Sequence, residues 1–99
     1  MNVRFLDPAQ REVDDAVAWY DEQEPDENLG LDFLDSLDRS LQLIRTFPEA
    51  ATEIEPGIRR RLLARFPYGV IYGIDEDTIV VIAVAHLHRE PRYWADRIE

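Results

Sequence analysis

Apolar residues recur along this chain with two different periods, and each period predicts a different kind of element. Residues 2–6 (NVRFL) are rich in β-branched and aromatic types, which favours a short strand. Asp7 and Pro8 then supply an N-cap and a first-turn proline, the usual opening of a helix. An apolar stripe follows at helical spacing, so the first helix is predicted to be amphipathic. Its members are Ala9, Val13, Ala16, Val17 and Tyr20.

A second helical pattern runs from about Asn28 to Thr46, after the stretch EQEPDENLG with its proline and glycine. Two consecutive amphipathic helices with a short connection are predicted to pack as an antiparallel hairpin around one buried seam. Leu37 lies within the second stripe and is expected in the core. That stripe consists of Phe33, Leu34, Leu37, Leu41 and Ile44.

The period becomes strand-like in the second half of the chain. Residues 51–57 (ATEIEPG) are predicted to be a loop, and three strand candidates follow: IRRRLLARF, YGVIYGI and TIVVIAVAH. The polar run 75–77 is predicted to close a hairpin between the last two strands. In residues 78–85 the odd-numbered and the even-numbered positions are both apolar, which indicates a central strand covered on both faces. A short helix is expected over residues 93–98.

Together these elements predict an α+β fold: an N-terminal strand, a helical hairpin, and a three-stranded antiparallel meander, all in one antiparallel-rich sheet. Two helices can cover only one face of that sheet, so part of the other face is predicted to be left to solvent or to a partner. A chain of 99 residues is long enough for one hydrophobic core, and residues 1–99 are therefore expected to form a single domain.

Composition narrows the possible sites and partners. Cysteine is absent from the sequence, which excludes disulfides and thiolate metal sites. No stretch has the apolar length of a signal peptide or a membrane span, so the cytoplasm is the expected compartment. The net charge of −10 is unevenly distributed: residues 1–57 carry 15 acids and 4 arginines, whereas residues 58–99 carry 6 acids and 7 arginines. Screening over about 8 Å lets an arginine patch persist beside an acidic region.

All the basic side chains other than the histidines are arginines, the residue type best suited to bidentate contacts with carboxylates or phosphates. Arg59, Arg61 and Arg65 are predicted to point to one side of a strand and Arg60 to the other. The first three are expected to converge on an open sheet face with arginines near the C-terminus, namely Arg89, Arg92 and Arg97. Such a surface would bind anionic groups, while the alternative is an ordinary solvated strand.

Residues 86–94 (HLHREPRYW) are the densest group of chemically useful side chains. His86 and His88 would share one side if the strand continued, and a histidine can act as a general acid or base near neutral pH. A metal site would need a third ligand at fixed spacing, which is missing, so neither a metal nor a cofactor is expected. Packing or capping is the alternative role for both histidines. Hydrolase and nucleotide-binding motifs do not occur in the sequence.

The segment from Arg59 to Arg97 resembles the RelE/ParE family of toxins from bacterial and archaeal toxin-antitoxin pairs. The resemblance rests on an arginine-rich strand, the F-P-Y of residues 66–68, the following hairpin, and V-x-H at residues 84–86. It ends in the Arg-x-Pro-x-Tyr-Trp of residues 89–94. Upstream, the strand, the helical hairpin and the phrase FPEAATEIEPGIRR are also similar to the family.

The resemblance implies a type II toxin that is neutralised by a cognate antitoxin, whose disordered segment folds onto the toxin. An acidic antitoxin segment would suit the candidate binding residues. These are Arg59, Arg61, Arg65, Arg89 and Arg92. ParE-like members of the family inhibit DNA gyrase without known bond cleavage, whereas RelE-like members cut ribosome-bound mRNA.

The two branches imply different roles for the same side chains. In the nuclease branch an arginine commonly follows the tyrosine of the middle hairpin strand, where this chain has Gly69. Tyr93 matches the C-terminal catalytic tyrosine of that branch, and His86 or His88 would be its proton-transfer partner. The ParE-like branch is favoured, with Tyr93 and Trp94 anchoring the C-terminal tail on the sheet. An mRNA endoribonuclease is the first alternative, and an inactive or regulatory member is the second.

Overall fold

The computed structural model describes residues 1–98 as two helices, five strands and a final helical turn. Strand β1 (Asn2–Phe5) precedes helices α1 (Asp7–Gln23) and α2 (Leu29–Thr46). Strands β2 (Thr52–Glu55), β3 (Ile58–Leu62), β4 (Tyr68–Asp75) and β5 (Thr78–His86) follow. A turn of 3-10 helix, Ala95–Arg97, lies near the C-terminus. The predicted α+β order is confirmed with one strand added, and the predicted C-terminal helix is shorter than expected.

The strands form one sheet in the order β1-β5-β4-β3-β2. Strand β1 runs parallel to β5, with Phe5 opposite Val81, while the other neighbouring pairs are antiparallel. Glu76 and Asp77 make the tight connection between β4 and β5, as predicted. Strand β5 has a neighbouring strand at each edge for part of its length, and its apolar residues are buried on both faces except for Val80, which is partly exposed.

The prediction of a loop over residues 51–57 is wrong, because Thr52–Glu55 forms an edge strand on β3. Thr52 lies opposite Arg60, and Glu53 lies opposite Arg59 with 3.8 Å between the carboxylate and the guanidinium. Glutamate is a poor strand former, but opposite charges on neighbouring strands attract each other. Gly57 completes the turn with a φ of +78°, which suits glycine.

Helices α1 and α2 cover one face of the sheet, here called the helix-side face. Phe33 and Leu37 from α2 are 0% and 5% exposed, and they pack with Val70 and Tyr72 of β4. Leu34 was predicted in the same stripe, yet it is 38% exposed, so the buried stripe of α2 is narrower than predicted. The hairpin seam itself is confirmed.

The first helix begins one residue earlier than the capping pattern predicted. Leu6 occupies the N-cap position in an extended conformation, and Asp7 is the first helical residue. The carboxylate of Asp7 therefore lies in the first turn, where it interacts favourably with the helix dipole. Neither helix described in residues 1–98 is long and apolar enough to cross a membrane.

The opposite face of the sheet, here called the tail-side face, is covered by the end of the chain. Its buried cluster combines Ile71 of β4 and three residues of β5 with Trp94 and Ala95. The three β5 residues are Ile82, Ala83 and Ala85. Both faces are therefore occupied, but by structures of very different size: two long helices on one side and a short C-terminal segment on the other.

Candidate functional site

Residues 87–98, here called the C-terminal segment, turn back from the end of β5 across the tail-side face. The amide of Leu87 donates to the carbonyl of Pro67 at 2.9 Å, and the amide of Arg89 donates to the carbonyl of His86 at 3.0 Å. Trp94 is 3% exposed within the tail-side cluster. Trp94 thus anchors the C-terminal segment on the sheet by apolar contacts, as predicted, and the contacts of Tyr93 are polar ones to helix α1.

Glu12 of α1 ties the C-terminal segment to the rest of the fold. Its carboxylate accepts hydrogen bonds from the Tyr93 hydroxyl and from the Arg97 guanidinium, at 2.8 and 3.2 Å for the latter. It also accepts one from the amide of Val84 at 3.1 Å. Because the side chains of Glu12 and Arg97 are only 14% and 16% exposed, these charge-assisted bonds are largely shielded from water.

The position of Glu12 follows from an irregularity in β5. Ile71 lies opposite Ala83 and Tyr72 opposite Val81, so Ile82 is an extra residue that forms a bulge. Strand β1 ends its pairing at Val81, which leaves the edge of β5 open from Ile82 onward. Arg97 donates to the carbonyl of Ile82 at 3.0 Å, beside the Val84 amide bonded to Glu12. The two side chains thereby complete the hydrogen bonding that a neighbouring strand would supply.

Tyr93 is held as a neutral phenol by these surroundings. Burial, followed by the hydrogen bond to Glu12, raises the pKa of Tyr93 far above its ordinary value. Its ring lies between the guanidinium groups of Arg89 and Arg97, at 3.9 and 5.2 Å from the ring centre. A tyrosine that cannot lose its proton near neutral pH cannot act as a general base, and its hydroxyl is already bonded to a carboxylate.

The two histidines lie next to each other at the end of β5. Strand β5 ends at His86, as the predicted strand TIVVIAVAH does, and residues 87 and 88 form a turn, so the two histidines do not share one side of a strand. The rings are 5.0 Å apart, and the amide of His88 donates to Nδ1 of His86 at 3.1 Å. The His86 ring also meets the edge of Tyr68 at 5.1 Å. In residues 1–98, no group of three side chains is arranged to hold a metal ion.

The predicted convergence of the arginines on one face is wrong. Arg59 and Arg61 lie opposite Tyr72 and Val70, which places both on the helix-side face because strand residues alternate. Arg59 donates to the carbonyls of Glu49 and Ala51 at 2.9 and 2.7 Å, so it secures the connection between α2 and β2. Arg92 lines the opposite, tail-side face, and Arg89 lies at the margin between this face and helix α1, where it is near Glu12 and Asp15.

Arg65 does not extend the strand either. Strand β3 ends at Leu62, and Arg65 lies in the following loop with a φ of +73°. Its guanidinium is 3.8 Å from the carboxylate of Asp32, and it lies with Arg39 and Arg61 along a groove beside α2. The arginine-rich stretch therefore contributes to two separate surfaces, which the alternation of a single strand could not predict.

Arg60 is the residue of that stretch which reaches the tail-side face. It lies opposite Ile71, and its side chain crosses over Gly69. A Cβ atom at Gly69 would come within 3.1 Å of Cγ of Arg60, so the glycine leaves the space in which this arginine lies. Strand alternation predicted Arg60 on the opposite side from its neighbours, but Arg60 was not among the predicted site residues. The signal was present in the alternation and in the glycine facing it.

A cavity of about 260 Å³, here called the tail cavity, lies between the tail-side face and the C-terminal segment. Apolar groups of Ile71, Ala85 and Trp94 contribute to its wall. Arg60, His86 and Arg89 line it as well, together with Tyr93. The tail cavity therefore combines an apolar surface with the guanidinium groups of Arg60 from β3 and Arg89 from the C-terminal segment, and with the imidazole of His86. This arrangement can hold an anionic group beside an apolar one.

Three comparisons with known proteins bear on this fold. A family model described as "ParE toxin of type II toxin-antitoxin system, parDE" matches residues 3–91. A search of curated proteins found no match. Among solved structures, a chain of the "Chromosomal ParDE TA system from P. aeruginosa" has a TM-score of 0.67 and 16% sequence identity. The match covers 87% of this chain and 95% of that one.

At 16% identity the structural match concerns the fold, and it agrees with the α+β architecture described above. The family match extends from β1 into the C-terminal segment and so includes both helices and all five strands. It agrees with the resemblance that the arginine-rich strand, the F-P-Y sequence and the V-x-H of residues 84–86 indicated, whereas Tyr93 and Trp94 follow the last matched residue. The chain belongs to the ParE toxin family of type II toxin-antitoxin systems.

Proposed function

We propose that this toxin acts in the cytoplasm by protein-protein contact, with DNA gyrase as its target, and that a cognate antitoxin neutralises it. The observation that carries the choice against RNA cleavage is the state of Tyr93. Its hydroxyl is bonded to Glu12, and its pKa is raised by burial and by that bond. A nuclease that used this tyrosine for proton transfer would first have to break its strongest contacts.

The distribution of arginines supports the same choice. Stabilising the transition state of phosphodiester cleavage needs several cations around one phosphate. Arg59, Arg61 and Arg65 are separated from Arg89 by the sheet or lie in the loop beside α2. A net charge of −10 further opposes binding to the ribosome and its RNA.

The antitoxin partner is carried over from the similar chain, which comes from a toxin-antitoxin system. Two exposed surfaces on this toxin suit an acidic segment: the groove beside α2 with Arg39, Arg61 and Arg65, and the tail cavity with Arg60 and Arg89. A segment that folds on binding can cover surfaces on both sides of a small sheet, at the cost of ordering its backbone.

Expression of the chain without an antitoxin tests the target. Supercoiling by purified gyrase and primer-extension mapping of ribosome-bound mRNA are measured on the same preparation. The proposal expects inhibited supercoiling and intact mRNA. Cleavage at codon-specific positions with normal supercoiling would overturn the proposal in favour of the endoribonuclease, and neither effect would favour the inactive member.

Tyr93→Phe is the matched variant for this experiment, because it removes the hydroxyl and keeps the ring between Arg89 and Arg97. The proposal expects gyrase inhibition equal to that of the parent chain, provided that thermal melting shows a folded protein. A nuclease would lose most of its cleavage on the same substitution. His86→Ala, compared in parallel, tests the second proton-transfer candidate.

Antitoxin binding is tested by charge reversal on each surface separately. Arg61→Glu alters the helix-side groove and Arg89→Glu alters the tail cavity, so isothermal calorimetry with the antitoxin reports the two sides independently. At least one reversal is expected to weaken binding about tenfold or more, since charge-assisted bonds are lost and repulsion is added. Two affinities equal to that of the parent toxin would contradict the assigned surfaces.

A further inference from the structure

The size of the tail cavity limits what it can hold. Its volume is about 260 Å³. Pockets for cofactors and drug-sized ligands are generally larger, roughly 300 to 1,000 Å³. A space of this size suits one or two groups of a larger partner, such as a single side chain of a protein segment. Ile71, Ala85 and Trp94 give the space an apolar wall, which favours an aliphatic or aromatic group.

Two arginines at the tail cavity are held in position without an acidic partner. The Arg89 guanidinium stacks on the Tyr93 ring at 3.9 Å, and the Arg60 side chain lies across Gly69. Within residues 1–98, neither forms an ion pair. By contrast, Arg97 is bonded to Glu12 and Arg92 to Glu55. Arg60 and Arg89 are therefore available to bind a carboxylate or phosphate brought by a partner.

The surroundings favour a carboxylate over a nucleic-acid backbone. Glu55 and Glu90 also line the tail cavity, and the chain as a whole carries a charge of −10. A nucleic-acid strand brings a phosphate with every nucleotide, so the phosphates beyond those bound by the two arginines would be repelled by this acidic surface. A partner that brings one or two carboxylates beside an apolar side chain adds much less negative charge to this acidic surface than a nucleic-acid strand does.

We infer that the tail cavity is an anchor site for one apolar or aromatic side chain of a partner protein, whose neighbouring carboxylate binds Arg60 and Arg89. Gly69 takes part by leaving the path that Arg60 follows to the tail cavity. The biological meaning of this site rests on the proposed action through protein-protein contact. The ligand preference itself is a property of the isolated chain and can be measured without gyrase or antitoxin.

A titration of the ¹⁵N-labelled chain, followed by NMR, tests the inference with small probes. N-acetyl-tryptophan carries the aromatic group and the carboxylate, while N-acetyl-tryptophan amide keeps the ring and lacks the charge. The carboxylate probe is expected to shift the Trp94 indole and Gly69 signals, and the amide is expected to bind about tenfold more weakly or worse. Equal shifts with both probes, or none with either, would overturn the inference.

Matched variants locate the binding. Arg60→Gln is expected to weaken binding of the carboxylate probe about tenfold, whereas Arg11→Gln, at an exposed position of α1, is expected to leave that binding unchanged. Gly69→Ala keeps every charge but displaces the Arg60 side chain, so it should also lower the affinity for the carboxylate probe. Thermal melting checks that each variant is folded. Equal losses of affinity in Arg60→Gln and Arg11→Gln would mean a non-specific charge effect and would overturn the site.

Inorganic phosphate and a short RNA oligonucleotide are titrated in the same way. Weak or absent shifts at Trp94 and Gly69 support the carboxylate assignment, and RNA binding at these signals that exceeds the N-acetyl-tryptophan effect would overturn it. Failure of this inference can be told apart from failure of the proposed function. Probe binding without gyrase inhibition would contradict only the proposed target, and gyrase inhibition without probe binding would contradict only the anchor site.

Discussion

The two faces of the sheet are closed in different ways, although the same strands supply both. On the helix-side face, two long helices bring a continuous row of apolar side chains, and Phe33 and Tyr72 are fully buried. On the tail-side face, a segment of a dozen residues brings one large apolar anchor, Trp94, and relies on the bonds between Arg97, Tyr93 and Glu12. The first closure resembles an ordinary core, and the second leaves a lined cavity.

This difference shows how a small domain can keep a binding site without losing its core. Burial of apolar surface by the helices is non-directional and fills the space between layers. The bonds made by Glu12 are directional, so they fix the C-terminal segment at one point and leave room beside it for the tail cavity. Substitutions on each face therefore have different expected effects.

The largest loss is expected on the helix-side face. Leu37→Ala removes a side chain that is 5% exposed, and the expected cost is about 2 to 5 kcal/mol in the free energy of unfolding, from lost burial and the remaining cavity. Leu31→Ala, on the same helix but 62% exposed, is the control and is expected to stay within about 0.5 kcal/mol. Chemical denaturation measures both, and equal values would remove Leu37 from the core.

A smaller loss of stability is expected when the hydrogen bonds between Glu12 and the C-terminal segment are weakened. Glu12→Gln keeps the size of the side chain but removes the charge that Arg97 and the Val84 amide bind. The expected cost is about 1.5 to 3 kcal/mol, typical of hydrogen bonds to a charged group. Asp15→Asn, on an exposed position one turn nearby, controls for the loss of a negative charge from α1. The Trp94 indole signal in the NMR spectrum of the ¹⁵N-labelled chain should shift in Glu12→Gln and not in the control.

Alkaline pH provides a third test, because burial and the bond to Glu12 raise the pKa of Tyr93 in the folded state. A tyrosine with a raised folded pKa stabilises the protein below its unfolded pKa, near 10, and that stability is lost as pH rises toward the folded pKa. Stability is therefore expected to fall above about pH 10. Tyr93→Phe should reduce this fall.

The fall should not vanish in Tyr93→Phe, since burial also raises the pKa values of Tyr20, Tyr68 and Tyr72. These three belong to the helix-side core and its margin, so they report the other face. Urea unfolding at pH 8 and pH 11, in the parent chain and the variant, measures the contribution of Tyr93 as a difference. An identical pH dependence in both proteins would show that Tyr93 is not buried in a hydrogen bond with Glu12.

The smallest effect is expected from the ion pair between Asp32 and Arg65, 3.8 Å apart with side chains 37% and 69% exposed. Exposed pairs contribute about 0 to 1 kcal/mol, so Asp32→Asn should change the unfolding free energy by less than about 1 kcal/mol. An arginine in such an exposed pair is held only weakly, so Arg65 can leave the carboxylate of Asp32 and bind an acidic group of a partner instead. A loss as large as that of Glu12→Gln would show that this pair is structural.

Most of the fold could be predicted because apolar residues recur along the chain with clear helical and strand periods. Both helices and the interior position of β5 follow from the spacing of apolar residues, and the 75–77 turn follows from its polar run. Strand β2 was missed because a short, acidic edge strand has no apolar face, and its pairing depends on Arg59 and Arg60 across the turn. Leu34 was included in the buried stripe because spacing does not tell how wide a helix's contact surface is.

The candidate site was harder to predict, because its geometry depends on the bulge at Ile82. That bulge and the early end of β1 open the edge of β5, to which Glu12 and Arg97 then bond. Nothing in the spacing of α1 distinguishes Glu12 from the solvent-facing acids around it. Likewise, the end of β3 at Leu62 sends Arg65 to a loop beside α2, away from the arginines of the C-terminal segment.

By itself, the sequence determined the α+β class, the helical hairpin, the antiparallel meander and the toxin family, since these depend on local periodicity and on motifs of adjacent residues. Only the tertiary structure decided that Tyr93 is bonded to Glu12, that Arg60 shares a cavity with Arg89, and that Arg61 does not. The physical reason is that each of these contacts joins residues far apart in the chain, and their meeting depends on strand ends, a bulge and the space left by one glycine.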